Sequence, residues 1–364
     1  MRKTRYYPAL DGLRGVAALC VVLMHRHVWF GLDGALGHGF LAVDFFFMLS
    51  GFVIANAYDG KLANGLGIAG FMRARVLRLY PMLILGAAIG ALWRLLALNL
   101  GVGVLNVWEV ANLFGRASFV LPALHSRFEG ASAFPLDPPT WSLFFELAIN
   151  LVYVAIFRWL TPARMVAIMA AGFLALVVLA LKNGGIDAGD IAAEFWLGFV
   201  RVTFPFFAGV LLHKVRGFAP LARLKAPFWA QAAILLAILN VPNIGWANAP
   251  FDLICVGLVF PALVISGSLT ESPPAETRAL KIMGDLSYPI YVLHYPMYVF
   301  LGGLGRVLGW LTPETQLVFG LASLAIILAA SWSATLFYDR PVRAWLDGVA
   351  RRRAGLAEAG STGR

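Results

Sequence analysis

Residues 10–25 read LDGLRGVAALCVVLMH, an apolar stretch that also carries an arginine, Arg14, and a histidine, His25. Such a run is typical of a helix that crosses a membrane. Within a membrane an ionisable side chain is costly to bury unless it is paired or faces a cavity. The stretch therefore predicts a membrane protein whose first helix has a functional face.

The composition of the whole chain agrees with this interpretation. Of its 364 residues, 60% are hydrophobic and only 13% are charged, and the mean hydropathy is +0.78. These values exclude a disordered chain, a fibrous repeat and a secreted disulfide scaffold. Both cysteines, Cys20 and Cys255, fall in apolar runs, where a thiol usually acts as a small hydrophobe.

Apolar runs bounded by charged residues, glycine or proline predict an all-α integral membrane protein, a single bundle of about ten transmembrane helices. If the amino terminus is cytoplasmic, most of the 29 lysines and arginines fall in cytoplasmic segments, as the positive-inside rule requires. An even number of spans then makes both termini cytoplasmic. The predicted spans are about 9–29, 40–58, 80–99, 141–158, 164–181, 195–213, 227–242, 250–268, 285–305 and 315–337.

This topology, together with anionic membrane lipids as partners, explains the net charge of +10, and no nucleic-acid partner is expected. We expect residues 1–345 to form one transmembrane domain and residues 346–364 to form a basic, disordered cytoplasmic tail. The first apolar stretch lacks a small-residue cleavage site, so it is expected to remain as the first span. The long interruption at about 100–140 is expected to have a function.

Arg14 and His25 are eleven positions apart, which places both side chains on the same side of a helix, roughly 16 Å apart in height. Asp11 lies one turn before Arg14 and can pair with its guanidinium group. The sequence therefore predicts that Arg14 and His25 line one cavity. The alternative is that each side chain extends to the headgroups at its own end of the span.

Asp44 opens the second span, where residues 44–51 read DFFFMLSG. An antiparallel neighbour would place Asp44 at the depth of His25, where its carboxylate could orient the imidazole ring. The alternative for Asp44 is an interfacial charge at a helix amino terminus. For Ser50 and Gly51, close helix packing is the alternative to a role in a site.

Three arginines, Arg73, Arg75 and Arg78, lie at the predicted cytoplasmic start of the third span. Arg75 and Arg78 are one turn apart in a helix, and paired guanidinium groups at this spacing suit a phosphate-bearing ligand. Positive-inside anchoring of the helix is the alternative explanation.

Polar and aromatic residues of the fourth and ninth spans are candidates for binding a sugar. Trp141 and Ser142 begin the fourth span, and Glu146 is expected about one turn inside the outer face. Trp141 offers a stacking surface, although an interfacial aromatic belt explains it as well. Tyr291 and His294 share a face of the ninth span, in the inner half of the membrane. The alternative for His294 is a structural hydrogen bond.

In combination, these motifs resemble the acyltransferase-3 family of integral-membrane O-acyltransferases. Members of that family modify bacterial surface polysaccharides, lipopolysaccharide, peptidoglycan, Nod factors or macrolides. The similar elements, in chain order, are Arg14-x10-His25, DFFFMLSG at 44–51, Arg75-x2-Arg78-x2-Pro81, Trp141-Ser142-Leu143 with Glu146, SYPIYVLH at 287–294 and Asp339-Arg340-Pro341. Leu147 and Ala148 replace polar residues that the family often has, which leaves the acceptor open.

The resemblance implies transfer of an acyl group, expected to be acetyl, from cytoplasmic acyl-CoA to a hydroxyl of a glycan or glycolipid, in a bacterial inner membrane. The phosphates of acyl-CoA are expected to be bound by Arg73, Arg75 and Arg78. Arg14 would guide the thioester, and His25 would act as a general base oriented by Asp44, or else as an acyl-carrying nucleophile. No metal is expected. The oligomeric state and the exact acceptor stay open.

A transporter or flippase for an anionic or glycosyl substrate is the main alternative function, with Arg14, His25 and Glu146 as a relay. The sequence shows no convincing inverted repeat or broken helices in corresponding halves, which disfavours it. A purely structural or sensory membrane protein would leave the paired Arg14 and His25 without a purpose.

Overall fold

The computed structural model describes residues 5–32, 34–124 and 131–349. This part of the chain is helical and contains no β-strand. Its α-helices are α1 (Pro8–Met24), α2 (Leu41–Ala63), α3 (Ile68–Asn99), α4 (Val107–Ser118), α5 (Thr140–Ile156), α6 (Pro162–Asn183), α7 (Gly198–Val215), α8 (Phe228–Leu239), α9 (Asn248–Ile254), α10 (Phe260–Leu269), α11 (Pro274–Val307) and α12 (Gln316–Ala334). A π-helical turn, Cys255–Val259, joins α9 to α10.

Seven helical segments of the described chain are long and apolar enough to cross a membrane, which makes this an all-α membrane protein. They are Leu41–Ala63, Ile68–Asn99, Thr140–Trp159, Pro162–Asn183, Ala192–Val215, Gly245–Leu269 and Gln316–Val349. The other three predicted spans coincide with α1, α8 and α11. Of these, α1 has 17 residues, α8 has 12, and α11 carries four tyrosines that lower its hydropathy. Ten crossings and cytoplasmic termini stay predictions.

The last helical segment continues through residues 346–349 of the predicted tail, and residues 350–364 lie outside the described residues. The boundary at residue 345 stays a prediction.

Helix α4 was not predicted and lies in the interruption at about 100–140. It begins with a capping box, in which the Glu109 amide donates to the Asn106 side chain at 3.0 Å and the Asn106 amide donates to the Glu109 carboxylate at 2.8 Å. Its inward side chain, Val110, is 2% exposed. The Asn-x-x-Glu pattern was therefore a readable signal for this helix.

Contacts between named side chains fix the directions of the central helices. Arg14 and His25 of α1 contact Ser287 and His294 of α11, so the two helices are parallel, and α3 follows the same direction. Helices α2, α5 and α7 run the opposite way. We call the end where α1, α3 and α11 begin the amino-terminal face, and the end where they finish the opposite face. The sequence predicts that the amino-terminal face is cytoplasmic.

Helices α2 and α7 pack through glycine, and their contact is the most extensive in the bundle. A Cβ atom on Gly51 would overlap the carbonyl oxygen of Phe206, and one on Gly209 would overlap the carbonyl oxygen of Met48. A larger residue at either glycine would push the two backbones apart. Close packing is therefore confirmed for Gly51, and it holds α2 where it lines the cavity described next.

Candidate active site

A cavity of about 270 Å³, open at one end, lies among α1, α2, α3, α5 and α11. It extends from Tyr58 and Arg78, near the amino-terminal face, to Ser142 and Tyr291 inside the bundle. Its wall is mostly apolar and aromatic. Three guanidinium groups line it, those of Arg14, Arg75 and Arg78, against one carboxylate, that of Glu146. The cavity therefore suits an amphipathic ligand with negative charges.

Arg14 is held in place by α1 and α11. Its guanidinium donates to the Asp11 carboxylate at 2.7 Å, to the Ser287 hydroxyl at 2.8 Å and to the Gly284 carbonyl at 2.9 Å. The predicted pairing with Asp11 is confirmed. Because these partners turn Arg14 toward α11 and the cavity, the structure does not show it extended to the headgroups.

Arg75 is 7% exposed and donates one hydrogen bond, at 2.6 Å, to Glu146. The Ser50 hydroxyl donates to the same carboxylate oxygen at 3.0 Å. The structure thus places Glu146 with the arginines, and not as the free sugar ligand that the sequence predicted, because a buried guanidinium attracts the nearest carboxylate. Arg78 is exposed at the mouth of the cavity, whereas Arg73 is exposed and does not line it.

The inner end of the cavity is closed by a hydroxyl pair. The Ser142 and Tyr291 oxygens are 2.7 Å apart, and both side chains lie within hydrogen-bond distance of the Pro139 carbonyl, which accepts at 3.0 and 3.3 Å. Ser142 and Tyr291 were predicted as substrate ligands, and the structure brings both to the cavity.

His25 contacts His294, and the contacts of both rings fix their tautomers. The Nδ1 atoms of His25 and His294 lie 2.8 and 3.1 Å from the carbonyl oxygens of Val21 and Ile290, which only accept hydrogen bonds. Each neutral ring therefore carries its hydrogen on Nδ1. The single Nδ1–H of His25 is then shared between the Val21 carbonyl and His294 Nε2, which is 3.3 Å away. His25 Nε2 is left as a basic lone pair with no hydrogen-bond partner among the described residues.

The structure separates Arg14 from His25, which the sequence placed in one cavity. Arg14 lines the cavity described above, and His25 is not among its lining residues. Tyr291 connects the two regions, because it lines the cavity and its ring centroid is 6.0 Å from that of His294. The predicted shared face of Tyr291 and His294 is confirmed. The predicted depth of His294 is wrong, because its contact with His25 at the end of α1 places it toward the opposite face and not in the half next to the amino-terminal face.

Asp44 does not contact His25, contrary to the prediction. Its carboxylate accepts two hydrogen bonds from Arg201 of α7, at 2.7 and 3.3 Å, and both residues are almost fully buried. The register of α2 turns Asp44 toward α7, where two buried charges compensate each other.

The structure also corrects the prediction for Trp141. It is 7% exposed, and the Arg201 guanidinium lies 5.1 Å from its ring, so it offers no open face to a sugar.

Sequence reasoning missed two partners that lie on neighbouring helices. Arg201 lies inside the predicted span 195–213, and a buried arginine needs a carboxylate, which Asp44 supplies. His294 lies at the end of SYPIYVLH, and its role as a partner of His25 follows only from helix packing. Among the described residues, no group of three or more His, Cys, Asp and Glu side chains could hold a metal ion.

Comparison with known proteins identifies the family of this chain. A family model described as an acyltransferase domain, that of the acyltransferase-3 family, matches residues 7–336. The chain belongs to the acyltransferase-3 family. This confirms the resemblance that six sequence motifs carried.

Three relatives illustrate the range of the family. "Protein 2 in picA locus" of Rhizobium radiobacter is 39% identical over 185 residues, covering 48% of this chain and 94% of that protein. "Exopolysaccharide production protein ExoZ" of Rhizobium meliloti is 26% identical over 344 residues, covering 90% and 94%. "O-acetyltransferase OatA" of Staphylococcus aureus is 22% identical over 326 residues, covering 83% of this chain but only 52% of OatA. No solved structure matches the chain.

Proposed function

We propose that this protein is a membrane-bound O-acyltransferase that transfers an acetyl group from acyl-CoA to a hydroxyl of a glycan or glycolipid, in the inner membrane of a bacterium. The names of two relatives support this, since one is an O-acetyltransferase and the other serves exopolysaccharide production. The observation that carries the proposal is the arrangement of an arginine-lined cavity and, beyond Tyr291, a histidine pair with a free basic nitrogen.

The residues of the cavity fit the phosphates of acyl-CoA. The Nε atom of Arg75 is buried and has no hydrogen-bond partner in the described structure, so it can donate to a ligand oxygen. Arg78 at the mouth has no ion-pair partner among the described residues, and the two guanidinium groups are one helical turn apart. Arg14 lines the same space with its guanidinium fixed by Ser287 and Gly284. We assign phosphate binding to Arg75 and Arg78, and guidance of the acyl end to Arg14.

His25 is the proposed general base. Bound acyl-CoA supplies an activated acyl group as a thioester. His25 Nε2 takes the proton of the acceptor hydroxyl while the hydroxyl oxygen forms the new bond to the acyl carbon. As the C–S bond breaks, His25 returns the proton to the leaving thiolate, which gives an O-acyl ester and the free thiol of CoA. Only the Nδ1–H tautomer, which the contacts of His25 impose, leaves Nε2 free for this role.

Replacement of the base tests the proposal. We expect His25→Ala to lower acetyl transfer by about 10²–10⁴-fold, the range that general-base catalysis contributes, without a change in unfolding temperature. The measurement is transfer of label from acetyl-CoA to glycans extracted from cells that express the protein naturally. Label on carbohydrate also distinguishes an enzyme from a transporter.

His213 of α7 provides a matched control. It is a partly buried histidine that contacts the Phe52 ring and touches neither the cavity nor the histidine pair. We expect His213→Ala to keep full activity. An active His25→Ala protein would contradict the assignment of the base, and a wild-type protein that transfers no label would contradict the function.

A further inference from the structure

Two arginines beside the histidine pair, at the opposite face, have no carboxylate partner among the described residues. Arg26 follows His25 and donates to its carbonyl oxygen at 2.6 Å. Its guanidinium lies 5.3 Å from the centroid of the Tyr295 ring, and that ring is 5.2 Å from the ring of His25. Arg94 of α3 lies near the same tyrosine, and its one side-chain hydrogen bond within the described part of the chain is a 3.4 Å bond to the Pro135 carbonyl. Tyr295 thus contacts Arg26 and His25 and lies near Arg94.

These two cations differ from the other arginines buried in the bundle. Arg14, Arg75 and Arg201 each pair with a carboxylate at 2.6–2.7 Å. Arg26 instead lies against aromatic rings, which attract a cation but do not neutralise it. The carboxylate of Asp190 lies near His25 but forms no ion pair with either cation in the described structure.

Topology does not explain their position either. The positive-inside rule concentrates arginine at the cytoplasmic side, which is the predicted location of the amino-terminal face. Arg26 and Arg94 lie at the other end, where the end of α1 and the last turns of α3 reach the opposite face. A partly buried cation without a counter-ion is unfavourable, so these two arginines indicate a ligand that brings the negative charge.

We infer that Arg26 and Arg94 bind an anionic group, a carboxylate or a phosphate, carried by the acceptor, and thereby hold the acceptor hydroxyl near Nε2 of His25. The inference rests on the proposed function and narrows its acceptor to an acidic glycan or glycolipid. A guanidinium group matches either anion through paired N–H donors. An anionic lipid headgroup presents the same chemistry, and the experiment has to distinguish the two sources.

The test compares an acidic oligosaccharide with its neutral counterpart. Hexagalacturonate and the carboxyl-reduced hexasaccharide made from it are bound to the protein in phosphatidylcholine nanodiscs, without acyl-CoA. We expect the acidic form to bind at least about tenfold tighter, and Arg26→Gln and Arg94→Gln each to remove most of that preference. Arg116→Gln is the matched control, because Arg116 lies in the last turn of α4 and its side chain, within the described structure, donates to Asn112 and to the Pro122 carbonyl. It should keep the preference.

Phosphatidylglycerol nanodiscs form the second arm. If a lipid headgroup is the true ligand, native mass spectrometry will show bound phosphatidylglycerol that the Arg26→Gln and Arg94→Gln proteins lose, and the inference about the acceptor is overturned. Equal binding of the two oligosaccharides, or binding of neither, overturns it as well. Because binding is measured without donor, a protein that prefers the acidic sugar but transfers no label would contradict the proposed function alone.

Discussion

Arg201 and Arg75 are both buried arginines that pair with a carboxylate, but the protein satisfies them to different degrees. Arg201 makes five hydrogen bonds, two of them to Asp44 and the others to Asp187 and two backbone carbonyls. Arg75 makes one, to Glu146, and its Nε atom has no partner within the described structure. Arg201 is enclosed by protein on every side, whereas Arg75 borders a cavity.

The difference indicates separate roles for two ion pairs that look alike in sequence. A guanidinium group whose donors are all used can only hold the fold together, and removing it leaves a buried carboxylate without compensation. A guanidinium group with a free donor beside open space can exchange partners when an anion enters. Arg201 therefore joins α2 to α7, and Arg75 is available to a ligand.

The largest expected effect follows from breaking the enclosed pair. We expect Arg201→Met to destabilise the protein by about 3–5 kcal/mol, because Asp44 would remain buried and unpaired. Thermal unfolding of the purified protein in detergent measures this loss. Acyl transfer should fall only in proportion to the folded fraction, since Arg201 does not line the cavity.

A double variant separates the ion pair from simple packing. Arg201→Met combined with Asp44→Leu removes both charges, and we expect it to recover much of the lost stability. If the double variant is as unstable as Arg201→Met alone, the pairing of Asp44 is not the cause.

A smaller effect is expected at the open pair. Arg75→Gln should weaken CoA binding by about 10–100-fold, which is the loss of one or two charge-assisted hydrogen bonds. The unfolding temperature should change little, because Glu146 can still accept from Ser50. Isothermal titration of CoA into the nanodisc-bound protein measures the affinity.

Glu146→Gln is the control, and its expected effect on CoA affinity is opposite to that of Arg75→Gln. Glu146 competes with the ligand for Arg75, so its neutralisation should tighten CoA binding while Arg75→Gln weakens it. Equal affinities for CoA in both variants and the wild-type protein would remove this pair from the donor site.

Much of this architecture could be predicted from sequence, because it depends on local patterns. Hydrophobic runs located the helices, and i,i+3 spacing gave the pairing of Asp11 with Arg14. Sequence order placed Arg75 and Arg78 together at the start of α3. These features are set within one helix or by its immediate neighbours, where periodicity is informative.

Partners on different helices could not be predicted, because they depend on how far each helix is rotated about its axis. Asp44 was assigned to His25 on depth alone, and the rotation of α2 gave it to Arg201 instead. Glu146 was expected near the outer face and Arg75 at the cytoplasmic start of the third span, so their 2.6 Å contact corrects the predicted depth of these residues as well as the partner. The facing partner follows from packing between helices, such as the glycine contacts of α2 with α7.

The smallest expected effect comes from a buried carboxyl group that, unlike Asp44 with Arg201, has only a hydroxyl partner among the described residues. Thr140 donates to Asp137 at 3.0 Å, and burial raises the pKa of Asp137 from 3.8 to about 8. Because the folded pKa exceeds the unfolded value, this carboxyl group contributes stability fully below pH 4, and the contribution is lost as the pH rises through 8. We expect Asp137→Asn to flatten the fall in unfolding temperature between pH 5 and pH 9, whereas Asp285→Asn, at an exposed carboxylate, should leave it unchanged. If the unfolding temperature of Asp137→Asn falls with pH as steeply as that of the wild-type protein, burial of Asp137 does not cause the fall. The arginine partner of Asp44 would then not explain a difference between these two carboxyl groups.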